Sequence, residues 1–502
     1  MGKMILDPGT LDNDNRDYLP EKIKGSDVVV NENGNNSRPY PKRLQQFNGV
    51  ICDEVEDEWY IYVPSSYDAR SAVPLIVSLH GGMMTGWGQC IYTSWTIAAE
   101  RDGFICLFPN ASKDRFWCTQ WGQFELGLGP DKIKQAPEEL SISPENPMEN
   151  HDVKMVLGLI KKMRKDYNID SGRIFLQGMS MGDMMTGLFA REIPDVFAGV
   201  AGSGAASFLT LLFTEDYKLK GNKTPLAVWQ SRPELNGIPA KGMVELNLNK
   251  YNRLYWNYIN QCSLLPQIKI HGDDNFAFYH GEKADMVFYD IKNRDHGQTF
   301  HDAALIWDYL FSGVRRQEDG SLLFTKPFRE RKGDTFAIAV AAGCKRAWTN
   351  NQVMDMNGVC EKRNKMKYHG LDGGQLVRGT YHMVPLSFIS EIYDAKLDYS
   401  KDKRTAFVHL KDGRCLQFAS GSIGCVIDQS LVQMYIECIS NEDELLISVE
   451  WFSEYVENMH VSECDDVVYV TDHVNHLSYN MAYLIKDILS DNMAPDDYPD
   501  WK

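Results

Sequence analysis

The sequence predicts an α/β fold: a mostly parallel, doubly wound sheet over residues 46–314, followed by a C-terminal α+β repeat domain over residues 335–502. Three observations carry this. Strand and helix signals alternate from about residue 45 to 313, the pattern of parallel strands joined by helical crossovers. Val73–Leu79 is a near-continuous apolar run, as a strand buried on both faces requires. Gly178-Met179-Ser180-Met181-Gly182 stands between a strand-like run, Arg173–Gln177, and a helix-like run, Met184–Ala190.

The elements follow in order. Trp59–Val63 and Val73–Leu79 start the sheet, and Gly103–Phe108 continues it. Asp152–Arg164 places apolar residues at helical spacing and leads through Tyr167–Asp170 into Arg173–Gln177. Val196–Val200 and Pro225–Trp229 supply the next strands, and Lys250–Tyr258 the helix of a crossover. Val287–Ile291 reads as the last strand and Ala303–Leu310 as the closing helix. The polar segment 1–45 reads as a flexible arm, and the charged, turn-rich stretch 315–334 as a linker. Beyond it, Val384–Glu391 repeats as Ile447–Glu454, each a short helix followed by a strand, Thr405–Leu410 or Asp466–Val470.

Ser180 is the candidate nucleophile, because a serine at a strand-to-helix turn is held in strained backbone with its hydroxyl presented. A hydroxyl at neutral pH needs a base, and the base needs an orienting acid. His296, beside Gly297 on the loop leaving Val287–Ile291, is the candidate base, ahead of His301 and His280. Glu234, in the segment leaving Pro225–Trp229, is the favoured acid, and Asp274 the alternative. His80-Gly81-Gly82 ends the apolar strand; the amides of Gly82 and Met181 are the candidate oxyanion donors, with His80 shaping the loop. Met83, Trp87, Met179 and Trp121, with Met84 and Met181, are the candidate substrate wall; the alternative is that several of them pack the core.

A net charge of −17 argues against nucleic acid and anionic membranes as partners. No run is long and apolar enough to span a membrane, and the first 48 residues lack an apolar core of the signal-peptide kind. The expectation is a cytoplasmic chain, or a secreted one if a leader was removed. The eleven cysteines show no C-x-x-C pair and no Cys/His metal spacing, so neither metal nor cofactor is expected. Reduced, buried thiols fit a cytosolic chain; a trimmed leader would leave pairs such as Cys118 with Cys262 open to oxidation.

Over Glu58–Gly313 the chain resembles the α/β-hydrolase esterases grouped with polyhydroxybutyrate depolymerases and feruloyl or acetyl-xylan esterases. Tyr60-Ile-Tyr-Val-Pro64, Leu79-His-Gly-Gly82, Tyr167-Asn-Ile-Asp170, Arg173–Gly182, Pro194–Gly199 and Asp295-His296-Gly297 carry the likeness. It implies Ser180 as nucleophile, His296 as base, and Gly82 and Met181 as oxyanion donors, with the partners in the chain order Ser, acid, His. Three departures stand out: Asp183 where the family has a second glycine, Gln230–Glu234 in place of a His-Gly-x-x-Asp turn, and Gln298-Thr-Phe300 after the histidine. The C-terminal repeat, through Val384-Pro-Leu386 and Asp465–Val470, resembles the stalk domain at the N-terminus of some copper amine oxidases. That likeness implies an interaction or self-association role and no copper.

The expected function is a serine ester hydrolase working through an acyl-enzyme on feruloyl, acetyl or hydroxyalkanoate esters. The alternative is a non-catalytic binding or scaffold protein that uses the C-terminal domain, and a peptidase on the same fold is a third reading.

Overall fold

The computed structural model describes residues 2–6, 41, 43–112, 115–120, 142–214, 216, 218–235, 243–369, 373–441 and 444–494. The chain forms two compact units. The first comprises residues 1–264, 278–331 and 498–502, and the second residues 265–277 and 332–497.

The strands up to the base loop are β1 (Leu44–Val50), β2 (Glu56–Tyr62), β3 (Val73–Leu79), β4 (Ile105–Pro109), β5 (Ile169–Met179), β6 (Gly199–Ser203), β7 (Ala227–Leu235), β8 (Gln267–His271), β9 (Asp274–Tyr279) and β10 (Met286–Asp295). In the first unit they run in the order β1-β2-β4-β3-β5-β6-β7-β10. The β1 and β2 pairings are antiparallel, and every pairing from β4 through β10 is parallel. This is a large mixed sheet, parallel from β4 through β10. The central strand β3 is buried from Pro74 to Leu79, as its unbroken apolar sequence demands.

Register brings the carboxyl ends together. Leu79 of β3 lies beside Gly178 of β5, Met179 beside Ser203 of β6, and Ser203 beside Ser231 of β7. Loops leaving these ends therefore converge on one edge, where open α/β sheets place their ligands.

The helices close the layers. His151–Asp166 is capped by Asn150, whose side chain accepts from Asp152 N, and it buries Val153, Val156, Leu159, Ile160 and Met163 at helical spacing. Asp152 in its first turn and Arg164 and Lys165 in its last complement the helix dipole. Asp302–Tyr309 packs an aromatic cluster onto the sheet: Trp307 meets Phe104 at 4.3 Å between centroids, and Phe175 stacks on Phe311 at 4.5 Å.

Two sequence expectations shift in the first unit. The strand expected to stop at Trp229 continues to Leu235, so Glu234 sits on β7 itself, because parallel pairing with β10 holds the backbone extended through Pro233. The stretch 315–334 carries structure in the first unit up to Arg331. Val314–Arg316 pairs with Leu322–Phe324, and the buried Arg316 guanidinium donates to the carbonyls of Phe197 and Pro225 at 2.7 and 3.0 Å. Such a group must be hydrogen-bonded, which ties the segment down.

The second unit is mainly β. Among the described residues it holds a five-stranded sheet containing Ala337–Ala341 and Val467–Thr471, a four-stranded sheet containing Gly374–Pro385 and Glu444–Ser448, and a further five-stranded sheet over Lys396–Gln433. The two repeated segments pair with each other, Val384 opposite Ile447, and each runs straight into a short helix, Leu386–Ile392 or Val449–Trp451. None of the eleven cysteines is in a disulfide, Cys118 and Cys262 included. Among the described residues no helix is long and apolar enough to cross a membrane.

Candidate functional site

β5 ends at Met179 and a helix starts at Met181, leaving Ser180 alone at the turn with φ 55° and ψ −117°. That conformation costs a serine on the order of 1–3 kcal/mol, so the surroundings must impose it. They do so through two glycines. A Cβ on Gly178 would lie 2.0 Å from the carbonyl oxygen of Gly182, and one on Gly182 would lie 2.3 Å from that of Leu79. Only hydrogen fits at either place. The Ser180 amide donates to Ser203 O at 2.8 Å, and the Ser180 carbonyl starts the helix by accepting from Met184 N at 3.0 Å.

His296 is delivered to this turn by an irregular strand end. Between Ile291, opposite Pro233, and Asp295, opposite Leu235, three residues of β10 face one residue of β7, and Asn293 adopts φ 58°. Such a bulge re-aims the chain that follows it. His296 Nε2 then lies 2.9 Å from Ser180 Oγ, although 116 residues separate them. Gly204 leaves room for the ring, since a Cβ there would touch His296 Cε1 at 3.4 Å.

Glu234 is the residue opposite the bulge. Its carboxylate accepts from Lys292 Nζ at 2.8 Å and from the Asn293 amide at 2.7 Å, both on the segment that leads to His296. Asp274 opens β9, within the second compact unit. The weaker histidines are engaged elsewhere: His301 Nε2 lies 3.4 Å from the Tyr289 hydroxyl, and His280 Nε2 lies 3.0 Å from Arg331 O.

The loop after β3 faces the elbow. His80 is fully buried; its Nδ1 meets Gly81 O at 2.7 Å and its Nε2 accepts from Ala111 N at 2.9 Å. Burial pushes this imidazole down to about 4, so it is neutral and structural. Trp117 donates to His80 O at 2.8 Å, and Met83 N to Arg115 O at 3.1 Å, which fixes the loop on both sides of Gly81 and Gly82. A Cβ on Gly82 would meet Met181 Sδ at 3.0 Å, so the two candidate oxyanion residues adjoin. Met181 opens a helix, and the first N–H groups of a helix have no intrahelical acceptor.

Met179 and Met84 are buried in a cluster with Tyr92, and Met179 reaches both Gly81 and Gly297. Met83 is 61% exposed at φ 64°. Trp87 packs against the Tyr60 ring at 6.0 Å between centroids. Trp121 lies outside the described residues.

Two features were not singled out from sequence. Gln177, buried on β5, accepts from Ser78 Oγ at 2.6 Å and Trp95 Nε1 at 3.1 Å, and donates to Gln298 Oε1 at 2.8 Å. Asp183, at a position noted as a departure, accepts from Arg232 at 3.1 Å and from Ala205 N at 2.9 Å. Burial raises its carboxyl to about 6 against the pull of Arg232. The signals available were modest: a glutamine inside a strand and an arginine at a strand end are each common on surfaces.

No family model matches the chain. Among curated proteins it is 28% identical over 231 residues to poly(3-hydroxyalkanoate) depolymerase C of Paucimonas lemoignei, covering 45% of this chain and 49% of that protein. It is 30% identical over 183 residues to a probable acetylxylan esterase A of Aspergillus flavus, covering 36% and 52%. Feruloyl esterase B of Talaromyces funiculosus is 29% identical over 167 residues, covering 32% and 40%. The chain thus spans about half the length, or less, of the curated relatives it matches. The solved acetyl xylan esterase from Aspergillus awamori aligns with TM-score 0.36 and 17% identity, over 52% of this chain and 97% of that one.

Proposed function

We infer that this chain is a carboxylic ester hydrolase of the serine type. The observation that carries the reading is the 2.9 Å approach of His296 Nε2 to Ser180 Oγ at a strained elbow. His296 takes the serine proton as Ser180 Oγ attacks the ester carbonyl. The amides of Gly82 and Met181 hold the developing oxyanion, where fixed donors contribute most to the rate. The protonated imidazole then donates to the leaving alcohol, an acyl-Ser180 ester remains, and His296 activates water to release it. Glu234 is the acidic arm: it anchors Lys292 and the Asn293 amide, and so holds the strand end that presents His296. Met83, Met84, Trp87 and Met179 form a soft apolar wall for the acyl group. Acetyl, feruloyl and hydroxyalkanoate esters are the substrate classes, in keeping with the names of the relatives.

The test is hydrolysis of p-nitrophenyl acetate and butyrate and of methyl ferulate, wild type against Ser180→Ala, with fluorophosphonate labelling in parallel. Turnover and labelling that both vanish in the variant support the reading, and the preferred acyl group names the substrate class. A folded wild type that neither turns over nor labels would sink it and favour a scaffold.

A further inference from the structure

Among the described residues, one group of metal-ligating side chains is gathered by the fold outside the candidate active site. Cys52 and Asp53 lie on the turn between β1 and β2, where Asp53 adopts φ 52°. His151 is the first residue of the helix His151–Asp166. Cys52 Sγ, Asp53 Oδ2 and His151 Nδ1 all lie within 4.8 Å of one another.

Two of the three separations are close to those around a tetrahedral ion. Zinc at about 2.3 Å from sulfur and about 2.0–2.1 Å from nitrogen and oxygen would hold S and N about 3.5 Å apart, and N and O about 3.3–3.4 Å apart. The structure has Cys52 Sγ to His151 Nδ1 at 3.5 Å and Asp53 Oδ2 to His151 Nδ1 at 3.2 Å.

The outer partners are in place as well. His151 Nε2 lies 2.9 Å from Asp57 Oδ1, and the other oxygen of Asp57 accepts from Ile51 N at 3.2 Å. Asp57 is buried. A carboxylate only accepts, so Nε2 carries a proton, and the neutral ring then offers its Nδ1 lone pair toward Cys52 and Asp53. This carboxylate–histidine arrangement orients imidazole ligands at metal centres. In the neutral ring the Nδ1 lone pair faces a carboxylate oxygen at 3.2 Å, two acceptors that a cation between them would satisfy. Asp53 is meanwhile paired with Lys154, whose side chain is 28% exposed and can swing into solvent.

We propose that Cys52, Asp53 and His151 bind one zinc ion, with Asp57 fixing the histidine and a water completing four-coordination. A site of one thiolate, one imidazole and one carboxylate favours zinc over calcium or magnesium, which take oxygen ligands. Binding releases the Cys52 thiol proton to solvent. The ion would fasten the β1–β2 turn to the start of the helix. The proposal does not depend on ester hydrolysis.

The experiment is titration of the metal-stripped full-length protein with Co²⁺ and Zn²⁺. Expected is one equivalent of Co²⁺ with a thiolate-to-metal absorption band, displaced by Zn²⁺, and unchanged in Ser180→Ala. Cys52→Ser removes the band, His151→Gln weakens Zn²⁺ binding at least about tenfold, and Asp57→Asn weakens it about tenfold. Lys154→Met tightens it. Zn²⁺ raises the thermal midpoint of wild type and not of Cys52→Ser. Zn²⁺ also shields Cys52 from iodoacetamide in the wild type, read by mass spectrometry, which serves if a variant misfolds. A band that survives Cys52→Ser, or Cys52 alkylation that Zn²⁺ leaves unchanged, would overturn the site.

Discussion

Gln177 Nε2 donates to Gln298 Oε1 at 2.8 Å, joining the strand three residues before Ser180 to the loop two residues after His296. Both side chains are buried, at 1% exposure each, so the bond works in a low-dielectric setting where an orphaned amide is costly. It is a direct tether between the segments that carry nucleophile and base.

Gln298→Ala should therefore lower kcat about tenfold with little change in KM, and reduce stability by about 1–3 kcal/mol. Gln177→Ala should do at least as much, since it also strands Ser78 and Trp95. The double variant should lose less than the sum of the singles. Steady-state kinetics and urea unfolding of the four proteins decide it; strict additivity would show that the bond does not act as a tether.

Gly182→Ala should abolish activity and destabilise the fold by about 3 kcal/mol or more, because its Cβ would sit 2.3 Å from Leu79 O, and backbone cannot step aside as a flexible side chain can. Gly272→Ala is a useful contrast. Nothing lies within 4 Å of its Cβ, and only its φ of 56° opposes the change. Circular dichroism melts of the two variants should separate clearly.

His80 carries a pH signature. Its folded value is held down near 4 by burial, against an ordinary 6.5 in the unfolded chain. Between those values the unfolded state binds the extra proton, so stability is complete above pH 6.5 and falls as pH drops toward 4, by about 3 kcal/mol in all. In His80→Gln that fall should be absent, so the difference between the two stability–pH curves should isolate it, measured by denaturant melts from pH 4 to 8. Parallel curves would refute the assignment.

Arg232→Leu leaves the Asp183 carboxylate buried without its guanidinium, and should cost about 3–5 kcal/mol at pH 8. With the cation gone the folded carboxyl rises further above its ordinary 3.8, so the folded state is the one that binds the extra proton, and acidification should recover part of the loss. A deficit that stays the same from pH 8 to pH 5 would mean that the lost packing of the arginine stem, rather than the charge, dominates.

What could be read from sequence was local. The elbow was legible because its requirements lie within five residues: a strand, one strained serine and two positions where no Cβ fits. The apolar run Val73–Leu79 announced a doubly buried strand for the same reason, since burial on both faces leaves no polar residue to alternate. The charged stretch near Arg316 read as a linker because a buried arginine is identified by the carbonyls around it, and those come from Pro194, Phe197 and Pro225. The C-terminal repeat was visible as similarity, but not that its two copies pair strand to strand.

Ser180 and His296 could be named one by one, while their meeting, the Glu234 anchor opposite the β10 bulge, and the Asp183–Arg232 pair were decided by strand register. Gln177 and Gln298 stand 121 residues apart, and Cys52 and His151 stand 99 apart. No spacing rule reaches so far, because side chains on separate segments become neighbours only when burial of the sheet and its helices fixes the chain between them. The amino-acid sequence determined which chemical groups this protein carries and where its backbone must strain. Only the tertiary structure decided which of those groups face one another.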